Sequence, residues 1–235
     1  SLISNNGTNP VIGNNGKITI QNGTIFTNTS KGAINNNSTG EIVMTGGKII
    51  ATGTRQAIWN NGGKVSISGT AYLSANATID GTIRGTVHNL SPGTLNISGG
   101  TIVSTGGTAV SNASTMTIGV KDANVLTDSP IIQGKINGIY STKNFNFYDG
   151  TIMGKTGGYN NTLSSIASHS YVVTEISPSD DPDHPYTKNY LALESNVITN
   201  RNKLTDNKYN DIQSAIDDAS DVDVLALETD DNIKK

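Results

Sequence analysis

The chain has 235 residues, of which 34% are hydrophobic and only 15% charged, with 26 Gly and no Cys. A net charge of −3 and an isoelectric point near 5.5 argue against both a basic nucleic-acid binder and a highly charged disordered chain. The missing cysteine removes disulfide frameworks, thiolate metal sites and cysteine nucleophiles together, and the short apolar runs give no membrane-crossing helix or signal-peptide core.

Residues 1–158 repeat themselves. One phrase recurs with turn residues at its centre: Ile20-Gln-Asn-Gly-Thr-Ile25, Met44-Thr-Gly-Gly-Lys-Ile49, Ile97-Ser-Gly-Gly-Thr-Ile102 and Phe147-Tyr-Asp-Gly-Thr-Ile152. Each reads as strand, turn, strand. Upstream of the turns, apolar residues alternate in Ile18/Ile20, Ile42/Met44, Val65/Ile67, Leu95/Ile97, Met116/Ile118 and Phe145/Phe147, the period-two signature of a half-buried strand. A second phrase places Ile12, Ile34, Ile58, Val87, Val110 and Ile139 in a column that advances by 22, 24, 29, 23 and 29 residues. A hairpin meander has no reason to restore the same phrase at this interval. A parallel coil does, because each residue sits above its equivalent about 4.8 Å away and the columns share one environment. The expected class is all-β: a parallel β-helix of about six coils with two or three short strands in each. The two longer coils are expected to carry the same insertion, Ile79-Asp-Gly-Thr-Ile-Arg-Gly85 and Ile132-Gln-Gly-Lys-Ile-Asn-Gly138.

Asn14, Asn36, Asn60, Asn89 and Asn112 follow the inward Ile or Val by two residues and form a structural ladder candidate, in which each side-chain amide bonds the next. On this asparagine column and the stacked aliphatic columns, residues 1–158 resemble the right-handed parallel β-helix group of the pectate-lyase-like superfold. The stretch Phe147-Tyr-Asp-Gly-Thr-Ile-Met-Gly-Lys-Thr156, with Tyr171-Val-Val-Thr-Glu175 and Lys188-Asn-Tyr-Leu-Ala-Leu193, is similar to the ends of modules in large repetitive secreted or surface proteins of bacteria. The resemblance implies a right-handed coil and an extracellular, secreted or cell-surface location.

Beyond the repeat, residues 159–200 read as a β-hairpin cap, with strands at 171–176 and 189–193 around a Pro- and Asp-rich loop. Residues 201–235 read as one short helix, capped by Asp206 or Asn207 and carrying Ile212, Ala215, Ile216 and Ala219 at helical spacing, followed by a strand at 222–227. That segment is either a terminal cap or the start of another module. Charge divides near the same place: residues 1–170 carry a net +5 and residues 171–235 a net −8.

Catalysis has little to stand on. Glu41, Asp80, Asp122, Asp128 and Asp149 occupy no common column, whereas a lyase needs clustered carboxylates and a hydrolase needs a pair about 5–9.5 Å apart. Asp80 with Arg84 is the best pair. His169 and His184 have no second ligand at metal spacing, and the acidic loop Asp180-Asp-Pro-Asp-His184 lacks calcium-loop spacing, so neither metal nor cofactor is expected. Trp59 and His88 fall in one outward column on successive coils, with Tyr140 farther along, and adjacent exposed rings stack on sugars. The expected function is therefore a non-enzymatic adhesin stalk whose partners are neighbouring modules or copies of itself, head to tail, with a glycan or host surface as a further partner. A carbohydrate-binding module or degenerate polysaccharide lyase or glycoside hydrolase is the alternative.

Overall fold

The computed structural model describes residues 2–5, 9–28, 30–78, 84–121, 129–166, 171–176, 187–193, 200–202, 208–209 and 225–227. Alternation of apolar and polar residues produces strands of three to six residues, and the chain delivers them to three sheets in strict rotation. Sheet 1 holds Leu2–Asn5, Thr24–Thr27, Lys48–Ala51, Tyr72–Ala75, Thr101–Ser104, Ile131–Gly134 and Thr151–Gly154. Sheet 2 holds Ile12–Asn14, Ile34–Asn36, Ile58–Asn61, Gly85–Leu90, Thr108–Asn112, Asn137–Ser141 and Gly157–Tyr159. Sheet 3 holds Lys17–Ile20, Glu41–Met44, Lys64–Ile67, Thr94–Ile97, Thr115–Ile118, Phe145–Phe147 and Leu163–Ile166. Every pairing among these strands is parallel, so the chain forms a parallel β-helix of seven coils, a rod of about 34 Å at about 4.8 Å per coil.

Register converts the sequence repeat into buried columns. Ile25, Ile49, Leu73, Ile102, Ile132 and Ile152 stack behind sheet 1, and Ile34, Ile58, Val87, Val110 and Ile139 behind sheet 2. Sheet 3 contributes two columns, Ile42, Val65, Leu95, Met116 and Phe145, and Ile20, Met44, Ile67, Ile97, Ile118 and Phe147. Full burial stabilises each such side chain by about 1.5–3 kcal/mol relative to exposure. At the end of each sheet 1 strand the inward position is small, Thr27, Ala51, Ala75, Ser104 and Gly134, which leaves room for the chain to bend toward sheet 2.

The recurring six-residue phrase is the corner between sheets 3 and 1. Its glycine, Gly23, Gly47, Gly100 or Gly150, has φ between 75° and 106°, a left-handed conformation that costs any residue with a Cβ, so the letter repeats because the bend does. Gly63 answers a different demand, close approach: a Cβ there would run into the Asn36 amide and the carbonyls of Asn37 and Gly40. Gly63→Ala should therefore lower stability by about 1–3 kcal/mol, measured by denaturant unfolding, whereas Gly16→Ala, with open space around its Cβ position, should have a far smaller effect.

Three expectations are revised. The two long coils do not share an insertion: Ile132 lies in a sheet 1 strand, in register with Ile102 and Ile152, and the extra residues of its coil fall between sheets 3 and 1, from 119 to 130. The other insertion lies between sheets 1 and 2, just before Gly85. Letter similarity aligned the two segments, but backbone register separates them. The parallel coils also continue past residue 158, through Gly157–Tyr159 and Leu163–Ile166, and number seven, because a strand at Leu2–Asn5 opens the first.

At the C-terminal side, Tyr171–Ile176 pairs antiparallel with Thr187–Leu193, which pairs antiparallel with Thr151–Gly154 and so covers the edge of sheet 1. Asn200–Asn202, Lys208–Tyr209 and Leu225–Leu227 form a separate small antiparallel sheet. The helix expected around residues 206–219 falls almost wholly outside the described residues, and no helix occurs among those described.

Candidate functional site

Sheet 2 carries both candidate features, one on each face. On its inner face, where sheet 2 turns into sheet 3, the asparagines form a one-directional chain of hydrogen bonds. Asn14 Nδ2 donates to Asn36 Oδ1 at 2.7 Å, and Asn36 to Asn60, Asn60 to Asn89 and Asn89 to Asn112 each at 2.8 Å. Asn112 Nδ2 donates to Ser141 Oγ at 2.9 Å, and the Ser141 N–H donates to Asn160 Oδ1 at 2.6 Å. The same amides satisfy carbonyls left over by the bend: Asn60 Nδ2 also reaches Gly63 O at 2.8 Å, and Asn89 Nδ2 reaches Thr115 O at 3.0 Å. These buried amides spend their donors on one another and on the corner's carbonyls, and so hold the bend between sheets 2 and 3.

The outer face of sheet 2 carries the column Gly13, Asn35, Trp59, His88, Ser111 and Tyr140 in register. Trp59 and His88 are direct neighbours. Tyr140 lies two coils beyond His88, about 9.6 Å along the axis, with Ser111 between them, so the three rings form no continuous platform. Nor is the face openly exposed: Trp59 and Tyr140 are half-buried, and His88 is 7% exposed. The Arg84 guanidinium carbon lies over the Trp59 ring, 5.7 Å from its centroid, on a ring that the outward column alone presents as open. Strand alternation reports which side of a sheet a residue faces; it does not report what another segment lays over it.

Arg84 arrives there because its coil is longer. Eleven residues separate Ala75 from Val87, against six between Ala51 and Ile58 and five between Ser104 and Val110. Four polar atoms in this neighbourhood are buried without a hydrogen-bond partner: Asn35 Oδ1, Trp59 Nε1, Arg84 Nε and His88 Nδ1. The sequence singles out Trp59 and His88 as outward rings and Arg84 through its pairing with Asp80, but not Asn35, whose place beside Trp59 in the column is the signal for it. Burial also pushes the His88 imidazole below the ordinary histidine value of 6.5, because desolvation disfavours the cation. The unfolded chain therefore binds the proton first, and stability is lost as pH falls from 6.5 toward the folded value. Denaturant midpoints at neutral and mildly acidic pH should fall further for wild type than for His88→Gln; equal loss in both would contradict the buried imidazole.

The described acids lie elsewhere. Glu41 pairs with Lys17 at 3.2 Å on the outside of sheet 3, and Asp149 Oδ1 accepts the Gly150 N–H at 2.7 Å in a corner. Asp80, Asp122, Asp128, His169 and the 180–184 loop lie outside the described residues. Among the described residues no three His, Cys, Asp or Glu side chains gather as a metal site, and no helix is long and apolar enough to cross a membrane. A polar groove of about 740 Å³ runs along the corner of sheets 2 and 3, lined by residues that include Thr115, Lys143, Asn146 and Asn161. No protein-family model, curated protein or solved structure matches the chain.

Proposed function

We propose that the chain is a non-catalytic structural module of the pectate-lyase-like kind, a stiff stalk or spacer in a large secreted or surface-attached bacterial adhesin. The observation that supports this reading is continuity: aliphatic columns and the amide ladder pass through successive coils about one axis. Bending such a rod requires stretching the ladder bonds and opening the core, so it holds its ends at a fixed separation. Stacked modules would each extend the stalk by about 34 Å. Ile12 and Ile18 in the first coil are only half-buried, beside a recess of about 210 Å³. A preceding coil or the end of another copy would cover them, and a head-to-tail contact of that kind propagates without closing.

Antibody raised against residues 30–160 should label intact cells of the source organism or its secreted fraction; signal confined to the lysate would contradict an extracellular stalk. Light scattering separates the head-to-tail contact from the stalk itself. Mass that rises with concentration supports end-to-end association, and a monomer throughout removes that contact. A second reading, a glycan-binding face, is supported by the indole of Trp59 beside Arg84 and His88. Reproducible binding on a glycan array, abolished by Trp59→Ala, would favour it.

A further inference from the structure

The cluster of Arg84, Trp59 and His88 is not a product of the repeat. The inward aliphatic column of sheet 2 recurs from coil to coil, whereas Arg84 enters on an extra stretch of chain that one connection alone carries between sheets 1 and 2 among the coils described. A rod needs no such stretch, and departures from a repeat are where repeat proteins place contacts with ligands.

We propose that this cluster binds an oxyanion, a carboxylate or sulfate group, with Arg84 as its cation and the Trp59 indole N–H as its directing donor. The chemistry follows from which atoms lack partners. Trp59 Nε1 and Arg84 Nε only donate, and both are buried without an acceptor. The guanidinium carbon lies over the indole, 5.7 Å from the ring centroid, which holds the cation at the same ring that carries the unpartnered N–H. A planar fork of N–H groups matches a carboxylate or sulfate, which accepts two parallel bonds. His88, 7% exposed and paired in register with Trp59, has an unpartnered Nδ1, and its low basicity keeps the ring neutral near pH 7, so Arg84 supplies the charge. Asn35 Oδ1, on the other side of Trp59, is an unpartnered acceptor suited to a hydroxyl beside the acid group. Glu41, paired with Lys17 on the outside of sheet 3, and Asp149, bonded to the Gly150 N–H in a corner, do not supply the missing acceptor.

The proposal leaves the stalk reading untouched, since a rod with a ligand site is still a rod, and its failure removes the site alone. Trp59 is the only tryptophan, so its indole N–H gives a single resonance that reports on this site. The intact chain would be titrated with sodium sulfate, sodium acetate and sodium glucuronate, with ionic strength held constant by sodium chloride. The expected result is a saturable shift of the indole signal that weakens by about tenfold or more in Arg84→Gln and is unchanged in Lys48→Gln, which removes a cation stacked on Tyr72 in sheet 1. Saturation by sulfate and acetate would identify a site for free anions, and saturation by glucuronate alone would identify a sugar-borne acid. No saturable shift with any of the three, the same shift with chloride, or full binding by a folded Arg84→Gln would overturn the proposal. Should Arg84→Gln fail to fold, the wild-type titration against chloride decides by itself.

Discussion

Ile58→Asp is expected to unfold the middle coils at a denaturant concentration far below that of wild type. Ile58 is fully buried and stacks between Ile34 and Val87 in sheet 2, so a carboxylate there has no water and no counter-charge in the aliphatic column. Placing an unpaired charge in a core costs about 4 kcal/mol or more, whereas Ile58→Val, which removes one methylene, should cost about 1 kcal/mol. Because each coil is held by its neighbours, the defect should loosen the coils on both sides, and hydrogen exchange should show lost protection in strands Ile34–Asn36 and Gly85–Leu90 as well as Ile58–Asn61. An Ile58→Asp chain with the wild-type midpoint would mean that this column does not face the core.

Asn60→Ala carries the second large effect. Asn60 accepts from Asn36 and donates to Asn89 Oδ1 and to the Gly63 carbonyl, so truncation leaves Asn89 Oδ1 and Gly63 O without that donor and removes one acceptor from Asn36. Each buried group left unsatisfied costs about 1–3 kcal/mol, and two acceptors are affected at once. Asn96→Ala, at an exposed outward position of sheet 3, should change stability by no more than about 0.5 kcal/mol. Equal losses in the two variants, read from chemical denaturation, would show that the ladder contributes nothing beyond ordinary surface asparagine.

The parts of this fold visible in the sequence are those that many coils repeat. An inward Ile at 34, 58 and 139 or an Asn at 36, 60 and 89 is written again whenever the chain returns to the same environment, and period-two alternation supplies the face. Corners are less legible, because their letters record only the local bend. Ile132-Gln-Gly-Lys-Ile136 copies the letters of Ile79-Asp-Gly-Thr-Ile83, yet Ile132 belongs to the sheet 1 column with Ile102 and Ile152. The first strand, Leu2–Asn5, is hidden for the opposite reason: against its register partner Thr24–Thr27 it repeats a single letter, Ile3 beside Ile25. At the outer face of sheet 2, alternation put Trp59 and His88 in one column, but the position of Arg84 over the indole depends on the path of a non-repeating connection, which no periodicity encodes.

A stalk requires that its coils rise evenly along one rigid axis, and the absence of native cysteine permits a direct measurement of that rise. Thr19, Val43, Ser66, Asn96, Thr117 and Asn146 lie in register down the outside of sheet 3. Spin labels on cysteines introduced at 19 and 117, four coils apart, should give a narrow electron–electron distance distribution centred near about 19 Å, apart from the label linkers. Moving the second label to 146 should lengthen the distance by one further rise, about 4.8 Å, without broadening it. Broad distributions, or a separation that does not grow by one rise between the two pairs, would contradict a rigid in-register stack.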